Sequence, residues 1–391
     1  MMKKTMRVAA AVLAAAMMTM PLAGCGGKDA GTTGGDTIKI GGLAPLTGEV
    51  AQYGTAVDNA VKLAVKEINE KGGVLGKQIE YISYDEKGDS QEAVTAYDRL
   101  VGDKVVALIG DVTSKPCKAV AQKAAADNMP MLTPSGTQED ITDVGANVFR
   151  TCFIDPYQGK LMATYASQKL EAKTAAILYD SADTYSTGIA DAFEAAAKDL
   201  NITITNKEGY QGGSSGSKDF NTQLTKIKSS NPDVLMIPVY YSDVALIAVQ
   251  AKAQGITSKL LGADGWDGVL EKIDASNQDA VSNAYFCSQY SATSTDEALQ
   301  GFLKKYKETY HLDANMFSVL GYDSMYIMAD AISRAGSTDS DKIIEAMKAT
   351  NFKGLTGTTS FDEKRNPIRE AIITGFDGGS YKFIENFSVG A

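Results

Sequence analysis

Residues 37–73 read TIKIGGLAPLTGEVAQYGTAVDNAVKLAVKEINEKGG, and their hydrophobic period changes midway. Ile38–Leu43 is a short apolar run of strand length. From Val57 the apolar residues fall at helical intervals, so that Val57, Ala60, Val61, Ala64, Val65 and Ile68 share one face. Asn69 and Lys71-Gly72-Gly73 stop that helix. A strand feeding directly into an amphipathic helix is the building unit of a parallel α/β sheet.

Outward from this stretch the unit repeats. Strands are expected at Ile79–Tyr84, Val105–Ile109 and Met131–Leu132, and helices at Ser90–Val101 and Lys115–Asp127. Val105–Ile109 is nearly all apolar, as in a strand covered on both faces. After Asp155-Pro156 the pattern restarts, with helices at Gln158–Leu170, Ser186–Leu200, Phe220–Ser229 and Asp243–Gln254. The strands between them are Ala175–Tyr179, Ile202–Thr205, Val234–Val239 and Leu260–Gly262. Residues 295–350 read as mostly helical, and Thr358–Phe387 as short strands with Gly/Asp turns. Two sets of units predict two doubly wound α/β lobes with a cleft between them, and ligands bind beyond the carboxyl ends of such strands.

Composition narrows the function. The 391 residues are 44% hydrophobic and 22% charged, an ordinary globular balance. A net charge of −10 gives no general attraction to nucleic-acid phosphates. The single histidine, His311, lies in a charged helix end and excludes His-rich metal sites. No P-loop, C-x-x-C or EF-hand loop occurs. Gly212-Gly213-Ser214-Ser215-Gly216 and Ser215-Gly216-Ser217-Lys218 match hydrolase motifs literally, but they lie in a Gly/Ser loop without supporting motifs. No catalytic residue, metal or cofactor is therefore expected.

The amino terminus carries an address. Lys3, Lys4 and Arg7 precede the apolar run Val8–Met18, which is too short to span a bilayer and fits a secretory leader. Leu22-Ala23-Gly24-Cys25 resembles a bacterial lipobox. The resemblance implies removal of residues 1–24, a lipid on Cys25 and a flexible tether through residues 25–37. Two acyl chains suffice for stable anchoring. Without residues 1–24 the balance is 35 basic against 48 acidic groups. Cys117, Cys152 and Cys287 remain. An exported location permits a Cys117–Cys152 disulfide, and three buried thiols fit the sequence equally.

Polar groups gather after the strands. Ser114 in Gly110–Pro116 reads as a helix cap, and Thr137 with Asp140 as a capping box after Thr133-Pro134-Ser135-Gly136. Either is an ordinary cap or one half of an anion site suited to a carboxylate. Asp264 and Trp266 stand among glycines in Gly262–Gly268, a setting for a ligand cation or for a turn around a buried aromatic. Tyr53, Tyr185, Tyr240 and Tyr241 also follow strands and suit ligand walls.

Taken in order, Ala44-Pro45-Leu46-Thr47-Gly48, Ala51-Gln52-Tyr53-Gly54, Ile68–Gly73, Ile109-Gly110 with Thr113-Ser114, Thr133-Pro134-Ser135 with Thr137, Phe149-Arg150, Asp155 with Gln158-Gly159, and Tyr185–Gly188 resemble the branched-chain amino acid-binding proteins. These are extracytoplasmic receptors of ABC importers, with the type I periplasmic-binding fold. The resemblance runs from about Ile38 to Phe376. It implies a carboxylate site at Ser114, Ser135, Gly136 and Thr137, and an ammonium partner at Asp264. Tyr53, Tyr185 and Tyr240 become side-chain and lid contacts, with Trp266 beside the ammonium partner in the binding site. The family often has Glu where Asp264 stands, and its early disulfide has no counterpart near Lys87-Gly88-Asp89.

The resemblance further implies a three-segment hinge, with lobe 1 at 38–154 plus 287–360 and lobe 2 at 155–286 plus 361–391. The expected protein is a monomer, anchored through Cys25 on the outer or periplasmic face of the cell membrane. It would close on a free amino acid, most simply a branched-chain one, and deliver it to ABC permease subunits. Another amino acid, a small amide, or a sensory role with a signalling partner remain as alternatives.

Overall fold

A computed structural model describes residues 37–389 apart from 214, 215 and 217. The leader, Cys25, the tether to Asp36 and the three serines of the Gly/Ser loop motif lie outside the described residues.

The first sheet is built from β1 (Ile38–Ala44), β2 (Ile79–Asp85), β3 (Ala107–Ile109), β4 (Met131–Thr133) and β5 (Val148–Arg150). Its order is β2-β1-β3-β4-β5 and every pair is parallel. Helix α1 (Ala51–Glu70) covers one face, and α2 (Ser90–Gly102) and α3 (Ser114–Ala126) cover the other. The face of α1 predicted to be apolar is the buried one, from Val57 to Ile68.

The second sheet takes α4 (Asp155–Lys169), β6 (Thr174–Asp180), α5 (Thr184–Asp199), β7 (Thr203–Tyr210), α6 (Asn221–Ser230), β8 (Val234–Met236), α7 (Tyr241–Ala253), β9 (Lys259–Gly262) and β10 (Ala284–Ser288). The chain then returns to the first sheet. There α8 (Glu297–Tyr310), α9 (Met316–Ala335) and α10 (Ser340–Lys348) follow, and α9 packs on α1, β3 and β4. A hairpin of β11 (Asn351–Gly354) and β12 (Gly357–Ser360) sits against α9. Last come β13 (Ala371–Asp377), which extends the second sheet antiparallel to β10, and β14 (Ser380–Phe387), antiparallel to β13. Its order is β14-β13-β10-β9-β8-β6-β7. The result is two doubly wound α/β lobes.

Both sheets are buried on both faces. In the second, Val234 and Met236 enter one apolar cluster while Leu235 and Ile237 enter the other. That alternation explains the unbroken apolar run that the sequence shows there.

Several elements differ from the sequence reading. β7 runs on through the polar Asn206-Lys207-Glu208-Gly209, because a strand at the edge of a sheet tolerates polar residues. β5, β10 and β11 carry no clear signal in the sequence, being only three to five residues long. α4 starts three residues earlier than its apolar period, with Pro156 in its first turn. Cys117 and Cys152 form no disulfide: all three described cysteines are buried thiols. Cys117 lies in the cluster beneath α2 and α3, whereas Cys152 lies in the other cluster.

Candidate functional site

Each sheet reverses its winding at one place. In the first this is between β1 and β3, in the second between β6 and β8. Loops leaving adjacent strands part there and open a crevice. The segments after β1, β3 and β4 on one side, and after β6, β8 and β9 on the other, line one narrow pocket, with space in this closed arrangement of only about 10 Å³. Its wall includes Tyr53, Ser114, Ser135, Thr137, Tyr185, Tyr240 and Asp264, seven of the nine residues singled out in the sequence.

On the first lobe the hydroxyls of Ser114 and Thr137 are 3.3 Å apart and buried. Thr113, not Ser114, is the N-cap of α3, and its side chain makes no capping bond. Ser114 therefore opens the helix, where uncapped backbone N–H groups and the helix dipole favour an anion. Thr137 forms no capping box, since a short 3₁₀ turn begins at Glu139 and Asp140 pairs with Lys118 at 2.9 Å. The Ser135 hydroxyl donates to the Val112 carbonyl at 2.8 Å and ties the two loops together.

Gly136 does not present a donor to the pocket, which corrects the sequence expectation. Its N–H donates to Thr133 Oγ1 at 2.8 Å, and its carbonyl accepts from Arg150 Nη1 at 3.0 Å. Arg150 is fully buried and also reaches the carbonyls of Gln138 and Glu139, so it fixes the whole loop.

On the second lobe Asp264 is 2% exposed. The Tyr185 hydroxyl donates to its Oδ1 at 2.8 Å, and the Gly265 N–H donates to that same hydroxyl at 2.8 Å. Gln158 Oε1 accepts the Asp264 N–H at 3.0 Å. Burial pushes the Asp264 carboxyl up to about 6, against the pull of the Tyr185 and Gln158 bonds. Asp155 is 1% exposed at the start of α4, and burial holds its carboxyl well above the usual range. Asp264 thus faces the pocket that Ser114 and Thr137 also line, while the Asp155 N–H donates to the Thr137 carbonyl at 3.0 Å.

Aromatic rings close the remaining walls. Tyr185 and Tyr240 stack at 4.8 Å, and Tyr53 stacks on Phe317 at 4.0 Å. The Tyr53 hydroxyl donates to the Gly265 carbonyl at 2.6 Å and accepts from the Tyr241 N–H at 3.1 Å.

Trp266 is a second correction. It is fully buried behind the pocket, its Nε1 donates to the Ile237 carbonyl at 2.8 Å, and it stacks on Phe286. It anchors the Asp264 turn and offers no ligand wall. Phe317, Val112, Thr113 and Gly265 were missed as lining residues, and Asp155 and Gln158 as supports. Phe317 carries no signal, since it falls within an apolar helix period. Asp155 and Gln158 stood in the quoted motifs but pointed to no chemistry by spacing alone.

Residues 37–380 match the profile of the periplasmic binding protein family, and the chain belongs to that family. It is 31% identical over 330 residues to the leucine-, isoleucine-, valine-, threonine- and alanine-binding protein of Pseudomonas aeruginosa, covering 84% of this chain and 87% of that one. Among solved structures it is similar to the leucine-binding protein LivK of Thermotoga maritima, with TM-score 0.83, 32% identity and coverage of 90% and 99%. It is also similar to the branched-chain amino acid transporter substrate-binding protein LivJ of Streptococcus pneumoniae in complex with isoleucine, with TM-score 0.82, 34% identity and coverage of 89% and 99%. Members of the family bind solutes and are not enzymes.

The role of Trp266 gives a prediction. Trp266→Phe removes the indole bond and leaves the Ile237 carbonyl only its bond from the Val239 N–H, so stability should fall by about 0.5–1.5 kcal/mol, as read from urea unfolding.

Proposed function

We propose that this protein captures a free α-amino acid, most simply leucine, isoleucine or valine, for an ABC importer. The observation that carries the reading is the opposition of charge preferences across one small pocket. Ser114, Thr137 and the start of α3 suit an α-carboxylate, while Asp264, held by Tyr185, suits an α-ammonium. The similarity to leucine- and isoleucine-binding relatives supports the choice of side chain.

The lobes are taken as 38–154 plus 287–360 and 155–286 plus 361–391, closing about a hinge on the bound zwitterion. Both ligand charges are then paired when water leaves. An unpaired one would cost about 3–5 kcal/mol in a closed cleft. Burying a leucine-sized side chain against Tyr53, Phe317, Tyr185 and Tyr240 adds about 1.5–3 kcal/mol. Export follows from the family and the leader-like amino terminus. Lipidation of Cys25, anchoring on the outer face and delivery to permease subunits complete the reading, with the protein acting as a monomer.

The test is a thermal-shift panel of the twenty amino acids on ligand-stripped protein. Stabilisation of about 2.7 kcal/mol is expected at 100 times the dissociation constant, with leucine, isoleucine or valine in the lead. No shift with any of the twenty would overturn the amino-acid reading. Asp264→Ala should weaken binding of the leading amino acid at least about 100-fold in calorimetry, because a buried ammonium loses its partner.

The pH dependence has a definite sign. Burial in the closed cleft pushes the Asp264 carboxyl up to about 6, and a neighbouring ammonium lowers it. Binding therefore expels a proton below that pH. Affinity should be flat above about pH 7 and fall as pH drops through 6, as calorimetry at several pH values would show.

A further inference from the structure

The turn after β9 does more than carry Asp264. Within five residues it meets the first lobe at three points other than the Asp264 carboxylate. The Gly265 carbonyl accepts the Tyr53 hydroxyl at 2.6 Å. Gly268 has φ +101°, which favours glycine, and it lies against the end of the Gln52 side chain of α1. Asp267 Oδ2 accepts the Met316 N–H at 2.6 Å.

The last contact is unusual in where it reaches. Met316 is the first residue of α9, a 20-residue helix of the other lobe. The side chain of Asn315, the local N-cap, already accepts the Ser318 N–H, so Asp267 adds a second cap from across the cleft. Asp267 is 2% exposed, and no Lys or Arg among the described residues forms an ion pair with it. Burial pushes its carboxyl up to about 7, against the pull of the Met316 N–H at the positive end of α9. The Asp267 N–H donates to the Asp264 carbonyl at 3.1 Å, and Trp266 between them is locked into the core. Asp264 and Asp267 therefore move as one rigid turn.

We propose that Asp267 is a closed-state latch: by capping α9 across the cleft it sets how long the closed protein holds its ligand. This rests on the proposed capture of an amino acid by hinge closure. Asp267 is not among the residues lining the ligand pocket and acts as a positioning residue. A ligand that seats Asp264 seats Asp267 at the same time. The latch adds to closure an interaction independent of ligand chemistry, so it should act on dissociation more than on association.

The test compares the parent protein with Asp267→Ala, Asp267→Asn and Met316→Pro. Proline is favoured at a first helical position, so Met316→Pro deletes the donated N–H while permitting the helix. Stopped-flow dissociation of leucine and small-angle scattering of the ligand-free proteins are measured. Asp267→Ala and Met316→Pro should release leucine about tenfold faster, with association changed less than about twofold. Asp267→Asn keeps an accepting oxygen and should stay within about threefold of the parent. Ligand-free Asp267→Ala should also have a larger radius of gyration than the parent.

Equal dissociation rates and equal radii in the parent and every folded variant overturn the latch. A parent that does not bind leucine contradicts the proposed ligand instead, and the radii then decide the latch on their own. If Asp267→Ala does not fold, the comparison of Met316→Pro with Asp267→Asn decides the latch in its place.

Discussion

Asp264 is a carboxylate taken out of water, 2% exposed, supported by a tyrosine hydroxyl and the Gln158 side chain. No lysine or arginine among the described residues forms an ion pair with it. Burying a charge in this way is unfavourable unless something positive meets it, and the rise of its carboxyl to about 6 measures that strain. The cleft is arranged around this demand. Opposite Asp264 lie hydroxyls and the start of a helix, which suit negative charge. A zwitterion satisfies both ends at once, whereas a neutral or singly charged solute leaves one end unmet.

The fold makes that opposition possible by placing a winding reversal in each sheet and facing the two reversals toward each other. Arg150 then stiffens the loop after β4, and Trp266 stiffens the turn after β9. Neither touches the pocket, yet both hold groups that do. The stiffness matters because the turn after β9 joins Asp264, the proposed ligand partner, to contacts between the lobes at Gly265, Asp267 and Gly268. In the proposed mechanism binding and closure are coupled through this one short segment.

The sequence showed the architecture where burial imposes a period. Val57 to Ile68 revealed α1 directly, and Val105–Ile109 revealed a doubly covered strand. It was silent where tertiary context decides. The three-residue β5 and the polar half of β7 exist because neighbouring strands recruit them. At the site, hydroxyls and carboxylates after strands were legible as chemistry, and Ser114, Thr137, Tyr185 and Asp264 converge. What proximity to a motif could not show was direction. Trp266 turns into the core and the Gly136 N–H turns to Thr133, although both stand beside residues that face the pocket. Phe317 arrives from 264 positions after Tyr53, through a helix whose apolar pattern gives no hint of a ligand.

The central claim is that both charges of one amino acid are paired across the cleft. The most direct measurement is calorimetric titration with leucine, N-acetylleucine and leucinamide under identical conditions. N-acetylleucine keeps the carboxylate and loses the ammonium, and leucinamide does the reverse. The account predicts that leucine binds and that each analogue binds at least about 100-fold more weakly. Either analogue binding within a few-fold of leucine would contradict it.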